Sequence, residues 1–295
     1  MFPNSTFPLA WLAIFTVAAG CGSVPRDSDE RRSTDDASPV TAPATDLSTL
    51  EGALRTEEIR DDLTAREIQP GTWVITHEKP LPANSLVVRA ADGSVLLVDT
   101  PFTPQATKAL LDWIDATLEP TSKKAVNSHF HLDALGGNAA LRDAGVGAQG
   151  LVTTSELLRA KGKAMRAALA ATLEDPEQRG LIESVELLPP PSLYMAPRFG
   201  MPLGGERYEL IFPGPGHSPD NLVVYFPDRK LLFGGCMVKG GESLGYLGDA
   251  DLTSWPDAIR QLQELDVELL VPGHGTRLDP GQLEHTLELL RRKEQ

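Results

Sequence analysis

Cysteine is scarce in this 295-residue chain, positive charge is in deficit, and long apolar runs are missing. Two cysteines, Cys21 and Cys236, exclude a disulfide-stapled scaffold, and each thiol needs its own explanation. Lys and Arg number 27 against 41 Asp and Glu, a formal net charge of −14. So acidic a chain has no basic field to draw a phosphate backbone, which argues against nucleic-acid binding. No run reaches the roughly 18 apolar residues that a membrane-spanning helix needs. Disorder is excluded by a hydrophobic fraction of 41%, and the 26 Gly and 24 Pro follow no collagen-like period. What is left is a chain able to bury a substantial core.

From Phe7 to Gly20 the sequence FPLAWLAIFTVAAG is apolar and stops at Cys21. It has the length of a signal-peptide core, and the small residues Ala18-Ala19-Gly20 suit a signal peptidase. The segment resembles a bacterial lipoprotein signal. That resemblance implies removal of residues 1–20, lipidation of Cys21, and a periplasmic protein whose contact with a membrane is this anchor. Cys236 would then be the one free thiol in an oxidising compartment. Residues 21–66 are rich in Ser, Thr, Asp, Pro and charge, and the composition predicts a flexible tether. The folded domain is expected over 67–295.

Beyond the tether, β-branched runs alternate with helical patterns. TWVITH (72–77), NSLVVRA (84–90) and SVLLVDT (94–100) read as strands, the last two joined by an Asp92-Gly93 hairpin. Thr103-Pro104 opens a helix with Leu110, Trp113, Ile114 and Thr117 on one face. KKAVNS (123–128) leads into a helix running through Leu141, and an Ala-rich helix covers 154–174. The second half repeats the scheme: strands over 206–213, 221–227, 230–235 and 267–273, a helix capped by Ser254 with Asp257 in a capping box, and a last helix marked by Leu283, Leu287 and Leu290. Strand runs covered by helices, twice over, predict an α/β (α+β in some schemes) architecture, an αββα sandwich of two sheets packed face to face with helices outside.

The chemistry gathers at strand ends. In Asn127-Ser128-His129-Phe130-His131-Leu132-Asp133, an extended backbone puts His129 and His131 on one face, with Asp133 in reach beside them. Two imidazoles and a carboxylate suit Zn2+. His217 in GPGHSPDN (214–221), Cys236 after KLLFGG and His274 in VPGHG (271–275) also stand at strand-end turns. His77 and His285 lack such a context and read as ordinary surface residues.

HFHLD, GPGHSPDN, FGGC and VPGHG, in this order, resemble the metallo-β-lactamases, and more narrowly the class B enzymes of the first subclass that use two zinc ions. VDT (98–100), ALGG (134–137) and LGDAD (247–251) belong to the same likeness, which spans roughly 68–293. The broader superfamily's glyoxalase-, lactonase- and RNase-type hydrolases usually carry His directly after the HxHxD aspartate and Asp at the thiol position; here these are Ala134 and Cys236.

The resemblance implies one zinc on His129, His131 and His217, and a second on Asp133, Cys236 and His274. The implied reaction is hydrolysis of the lactam amide of penicillins, cephalosporins and carbapenems by a metal-bound hydroxide, conferring antibiotic resistance. Asp133 would also orient the hydroxide, and Lys239 in CMVKGG would pair with the substrate carboxylate. Tyr246 stands where many relatives place an Asn that touches substrate, so it joins the expected catalytic residues as a departure. Gly240 to Gly248 would line one wall, while the loop His77–Asn84 is shorter and more polar than the apolar flap of relatives, which predicts weaker binding of bulky substituents. The protein is expected to act as a monomer on a small-molecule β-lactam. Hydrolysis of another ester, lactone or thioester, or a non-catalytic zinc-binding lipoprotein, are the competing readings. No role for residues 160–180 emerges from the sequence.

Overall fold

A computed structural model describes residues 48–294. The signal-type segment, Cys21 and the tether up to residue 47 lie outside these residues. Within them, one sheet carries β1 (Arg55–Arg60), β2 (Leu63–Gln69), β3 (Thr72–His77), β4 (Ala83–Arg89), β5 (Ser94–Val98), β6 (Ser122–Val126), β7 (Gly147–Leu151) and β8 (Ser192–Tyr194) in sequence order. Its strands pair antiparallel as far as β5 and parallel from there to β8. The second sheet is built from β9 (Arg198–Leu203), β10 (Glu206–Ile211), β11 (Val223–Phe226), β12 (Leu231–Gly235) and β13 (Leu269–Pro272), in the order β13-β12-β11-β10-β9, with β12 and β13 parallel. The helices are α1 (Pro104–Leu118), α2 (Leu132–Leu135), α3 (Asn138–Asp143), α4 (Val152–Thr172), α5 (Pro176–Ser184), α6 (Trp255–Leu262) and α7 (Gln282–Glu294).

Period-two alternation makes these sheets into a sandwich. Val74, Leu86, Val88, Leu96 and Val98 of the first sheet meet Leu210, Val224, Phe226, Phe233 and Val271 of the second in one buried core. The intervening residues point outward. Trp73, Ile75, Val87 and Leu97 pack under Leu110, Leu111 and Ile114 of α1, and Val223, Tyr225, Leu232 and Leu270 pack under α6 and α7. This is the αββα sandwich expected from the sequence. The β4–β5 hairpin turns at Asp92-Gly93, where Gly93 has φ 86°, and Thr103 caps α1 by accepting from the Ala106 amide.

Several local expectations differ. The fold begins before residue 67: residues 55–66 of the expected tether belong to β1 and to most of β2 in the larger sheet. Their charged residues alternate with Leu63, Ala65 and Ile68, which are fully buried, so composition masked a strand pattern. The helix expected through Leu141 is split into α2 and α3 at Gly136-Gly137. Here Gly137 donates its amide to Thr100 Oγ1, and a Cβ on it would sit 1.9 Å from Thr107 Oγ1. At α6 the capping box does not form. Instead Asp251 accepts from the Ser254 amide and hydroxyl, closing the turn one step earlier. Thr117 is exposed, and Leu118 takes its place on the buried face of α1.

Candidate metal centre

Four strands deliver the six expected ligands to one end of the sandwich. His129 and His131 follow β6, Asp133 lies in α2, His217 stands in the turn between β10 and β11, Cys236 follows β12, and His274 follows β13. The side chains converge in overlapping triples whose ligand atoms lie within 4.8 Å of one another: His129–His131–Asp133, His129–His217–Cys236 and Asp133–Cys236–His274. The last is the second set that the resemblance implied. The three imidazoles of the first set are stacked edge to face, with ring centroids 4.7, 5.4 and 5.1 Å apart, and His131 Nδ1 lies 3.2 Å from His217 Nε2.

Each ligand is oriented from behind. Ser128 Oγ gives its hydrogen to Asp99 Oδ2 at 2.7 Å and so faces His129 Nδ1, 3.0 Å away, as an acceptor. With its proton on Nδ1 toward Ser128, His129 presents the Nε2 lone pair to the centre. Asp99 also accepts from the Ser128 amide, and burial pushes its carboxyl well above the usual range. His274 Nδ1 donates to the Pro82 carbonyl at 2.6 Å, leaving Nε2 to face Asp133 Oδ2 at 3.1 Å. His131 Nε2 meets Asp249 Oδ2 at 3.2 Å, so its Nδ1 faces the centre. The turn holding His274 is clamped by Asn84, whose amide donates to the carbonyls of Pro272 and Gly275. Gly273 permits the close approach: a Cβ there would lie 2.8 Å from Cys236 Sγ.

These residues fit a metal on three counts. His129 Nε2 is fully buried and has no hydrogen-bond partner, an expensive arrangement for a lone pair unless a cation takes it. Burial lowers the pKa of His129 to about 3 and that of His217 well below its usual value, so both imidazoles are neutral and able to coordinate. The donor set joins nitrogen, oxygen and sulfur, which suits zinc. Burial raises Asp133 but the adjacent imidazoles outweigh it, holding this carboxyl well below its usual range and hence anionic. Burial and the nearby Asp133 raise the Cys236 thiol, which donates to Asp133 Oδ2 at 3.0 Å; a cation is what would make it a thiolate. Among the described residues Cys236 is the free cysteine.

A cavity of about 490 Å3 opens over the cluster. Lys239 lines it and is buried, its Nζ 5.3 Å from the centroid of the Trp255 ring. Burial lowers its pKa, and Cys236 and Asp133 oppose the shift. Tyr246 lies half exposed at the rim with its ring edge-on to His131, the centroids 5.6 Å apart. Gly240, Gly241, Ser243 and Gly245 line the adjoining wall.

Three features escaped sequence reasoning. Asp249 lies within the recognised LGDAD segment, yet its contact to His131 was not foreseen; a metal-bound imidazole's need for a partner on its other nitrogen was the available signal. Residues 160–180 do reach the site: Met165, Ala168, Leu169 and Thr172 of α4 line the cavity, and Lys161 pairs with Asp249 at 2.7 Å. His77 is not a surface residue but is buried against Asp62, with Nε2 to Oδ2 at 3.5 Å, because β3 is covered on both faces. His285 is a partly exposed residue whose Nε2 donates to the Gly241 carbonyl.

The Metallo-beta-lactamase superfamily profile matches residues 79–274. A metallo-beta-lactamase type 2 of Bacillus sp. (strain 170) is 28% identical over 259 residues, covering 83% of this chain and 91% of that relative. Its counterpart in Bacillus cereus is 29% identical over 238 residues, covering 78% and 83%. The solved metallo-beta-lactamase of Pontibacter korlensis superposes with a TM-score of 0.64 at 34% identity, covering 78% of this chain and 99% of that one. The chain belongs to the metallo-beta-lactamase superfamily.

Proposed function

We propose that this protein hydrolyses the amide bond of β-lactam antibiotics and uses two zinc ions to do so. The observation that carries the proposal is the meeting of six nitrogen, oxygen and sulfur donors, one of them the orphaned His129 Nε2, beneath a cavity walled by a buried lysine. His129, His131 and His217 would hold one ion; Asp133, Cys236 and His274 would hold the other. When bound, zinc supplies Lewis acidity, polarising a carbonyl and bringing the pKa of water down toward about 7.

The chain's own residues do the rest. Asp133, held anionic, accepts a hydrogen bond from the attacking water and aims it at the lactam carbonyl. Lys239 Nζ pairs with the substrate carboxylate. Its burial beside Trp255 makes that pairing stronger than at a wet surface. Ser128, Pro82 and Asp249 keep the three imidazoles they contact in the tautomers that coordination needs. The apolar run ending at Cys21 supports export and a lipid anchor as further parts of this reading.

A chromogenic cephalosporin offered to the purified protein should be opened, with turnover lost on chelation and restored by zinc. Lactone and thioester substrates, run beside it, should be poorer by more than tenfold. Faster turnover of either would move the activity to another hydrolase of the same fold, and no turnover of any would leave a zinc-binding protein.

A further inference from the structure

The cavity's composition asks for a particular substrate. Its floor is polar, made by the ligand cluster, and among the described residues its lining lysine is Lys239. One wall is Gly-rich, from 240 to 245. The facing material is apolar and comes mainly from a helix, through Met165, Ala168 and Leu169 of α4 together with Leu81 and Phe102. At spacings of three, one and three, positions 165, 168, 169 and 172 form one stripe along α4. Leu81, in the short β3–β4 loop, is 47% exposed. A large aliphatic side chain left that open beside a cavity has apolar surface to give to a ligand.

The α4–α5 pair holds the stripe in place. Leu158, Met165, Ala170 and Leu173 pack with Ile182 and Val185 in a cluster that also takes in Phe102, Phe130 and Leu132 beside the metal ligands. Gly162 lets the helix settle close: a Cβ there would meet Leu158 Cδ1 at 2.9 Å and Leu187 Cδ1 at 3.2 Å. Lys161 ties the same helix to Asp249 at 2.7 Å. The wall is thus anchored at both its buried face and its charged edge.

We infer that the α4 stripe, with Leu81 and Phe102, is a specificity-determining apolar subsite that receives a large aliphatic or aromatic substituent of the substrate. The inference rests on the β-lactam reading for the identity of the rest of that substrate. It replaces the expectation that a short β3–β4 loop weakens the binding of bulky groups, because the helix supplies the apolar surface that the loop lacks. Selection acts through area: each methylene removed from or added to such a contact changes discrimination, by roughly tenfold or more.

Two β-lactams that differ only in one substituent, benzyl against methyl, are compared on the zinc-loaded protein. Leu169→Ala should raise KM for the benzyl compound roughly tenfold and leave the methyl compound within twofold. Ala168→Met, from an exposed position on the same stripe, should shift the preference further toward benzyl, and it keeps the test alive if Leu169→Ala fails to fold. Equal changes for both substrates would overturn the subsite. Calorimetric binding of a benzyl thiol and a methyl thiol to the same proteins separates this inference from the reading it rests on. Loss of the benzyl preference in Leu169→Ala without β-lactam turnover in the parent would sustain the subsite and defeat the substrate class. Turnover in the parent with no benzyl preference in either assay would do the reverse.

Discussion

Lys161 Nζ on α4 donates to Asp249 Oδ1 at 2.7 Å, while the other oxygen of that carboxylate meets His131 Nε2 at 3.2 Å. Hydrogen bonds from both hold the Asp249 carboxyl well below its usual range, that from His131 being the larger influence. A helix outside the sandwich is thereby connected to an expected metal ligand. Removing Asp249 frees the imidazole to rotate or change tautomer, so Asp249→Ala should lower zinc affinity roughly 10- to 100-fold, read by competition with a chromophoric chelator. Lys161 is half exposed and its pairing is screened, so Lys161→Met should cost less than about threefold.

Cys236 is the donor that most separates this centre from sites made of imidazole and carboxylate alone. Cys236→Ser substitutes a hydroxyl that stays protonated where a thiol would ionise on a cation. Elemental analysis should find the second zinc lost at limiting metal, and turnover should fall well beyond tenfold. Far-ultraviolet circular dichroism should be unchanged, because Cys236 is a small side chain at the end of β12. Undiminished activity with two zinc ions per chain would remove Cys236 from the ligands.

Lys239 is buried over the Trp255 ring and lies at the cavity wall. A carboxylate paired there is bound alike in the ground and transition states, so Lys239→Ala should raise KM with kcat nearly kept. A hydrogen bond between charged groups sets the size, roughly ten- to a hundredfold in KM. Substrates without a carboxylate should be indifferent to the change. A fall confined to kcat would contradict the assignment.

Away from the centre, His77 makes the stability of the metal-free protein depend on pH. Burial brings its pKa from 6.5 down to about 4, against the opposing pull of Asp62, with Arg60 and Lys79 adding to the lowering. Between those values the unfolded chain binds more protons than the folded one, so stability is full above pH 6.5 and declines as pH falls toward 4. Burial of His129 and His217 acts in the same sense. Urea unfolding of chelated protein at several pH values should show this decline, with a shallower slope in His77→Gln. An unaltered slope would mean that His77 titrates alike in both states.

Much of this was legible in the sequence because the relevant signals were local. The β-branched runs over 72–77, 84–90 and 94–100 announced strands, and those strands stack as expected. The six donors were visible because His, Cys and Asp at Gly-bounded strand ends have few other reasons to be there. What stayed hidden depended on tertiary contact. The alternation in β2 was drowned by charged neighbours whose partners lie on β1 and β3. Asp249 and Lys161 are ordinary residues until the fold sets them 2.7 Å apart. The stripe on α4 reads as any amphipathic helix would; that it lines a cavity beside the donors emerges only in the folded chain.

The six convergent donors and the residues that line the helical wall are carried by separate parts of the fold. Donors sit at strand ends and on the short α2, fixed by the sandwich; the stripe rides on the α4–α5 pair between β7 and β8. Changes along the stripe can therefore retune which molecules are accepted while the reactive machinery stays intact. Variation at the exposed Ala168 would leave the packed cluster of Leu158, Met165 and Ala170 beneath it untouched.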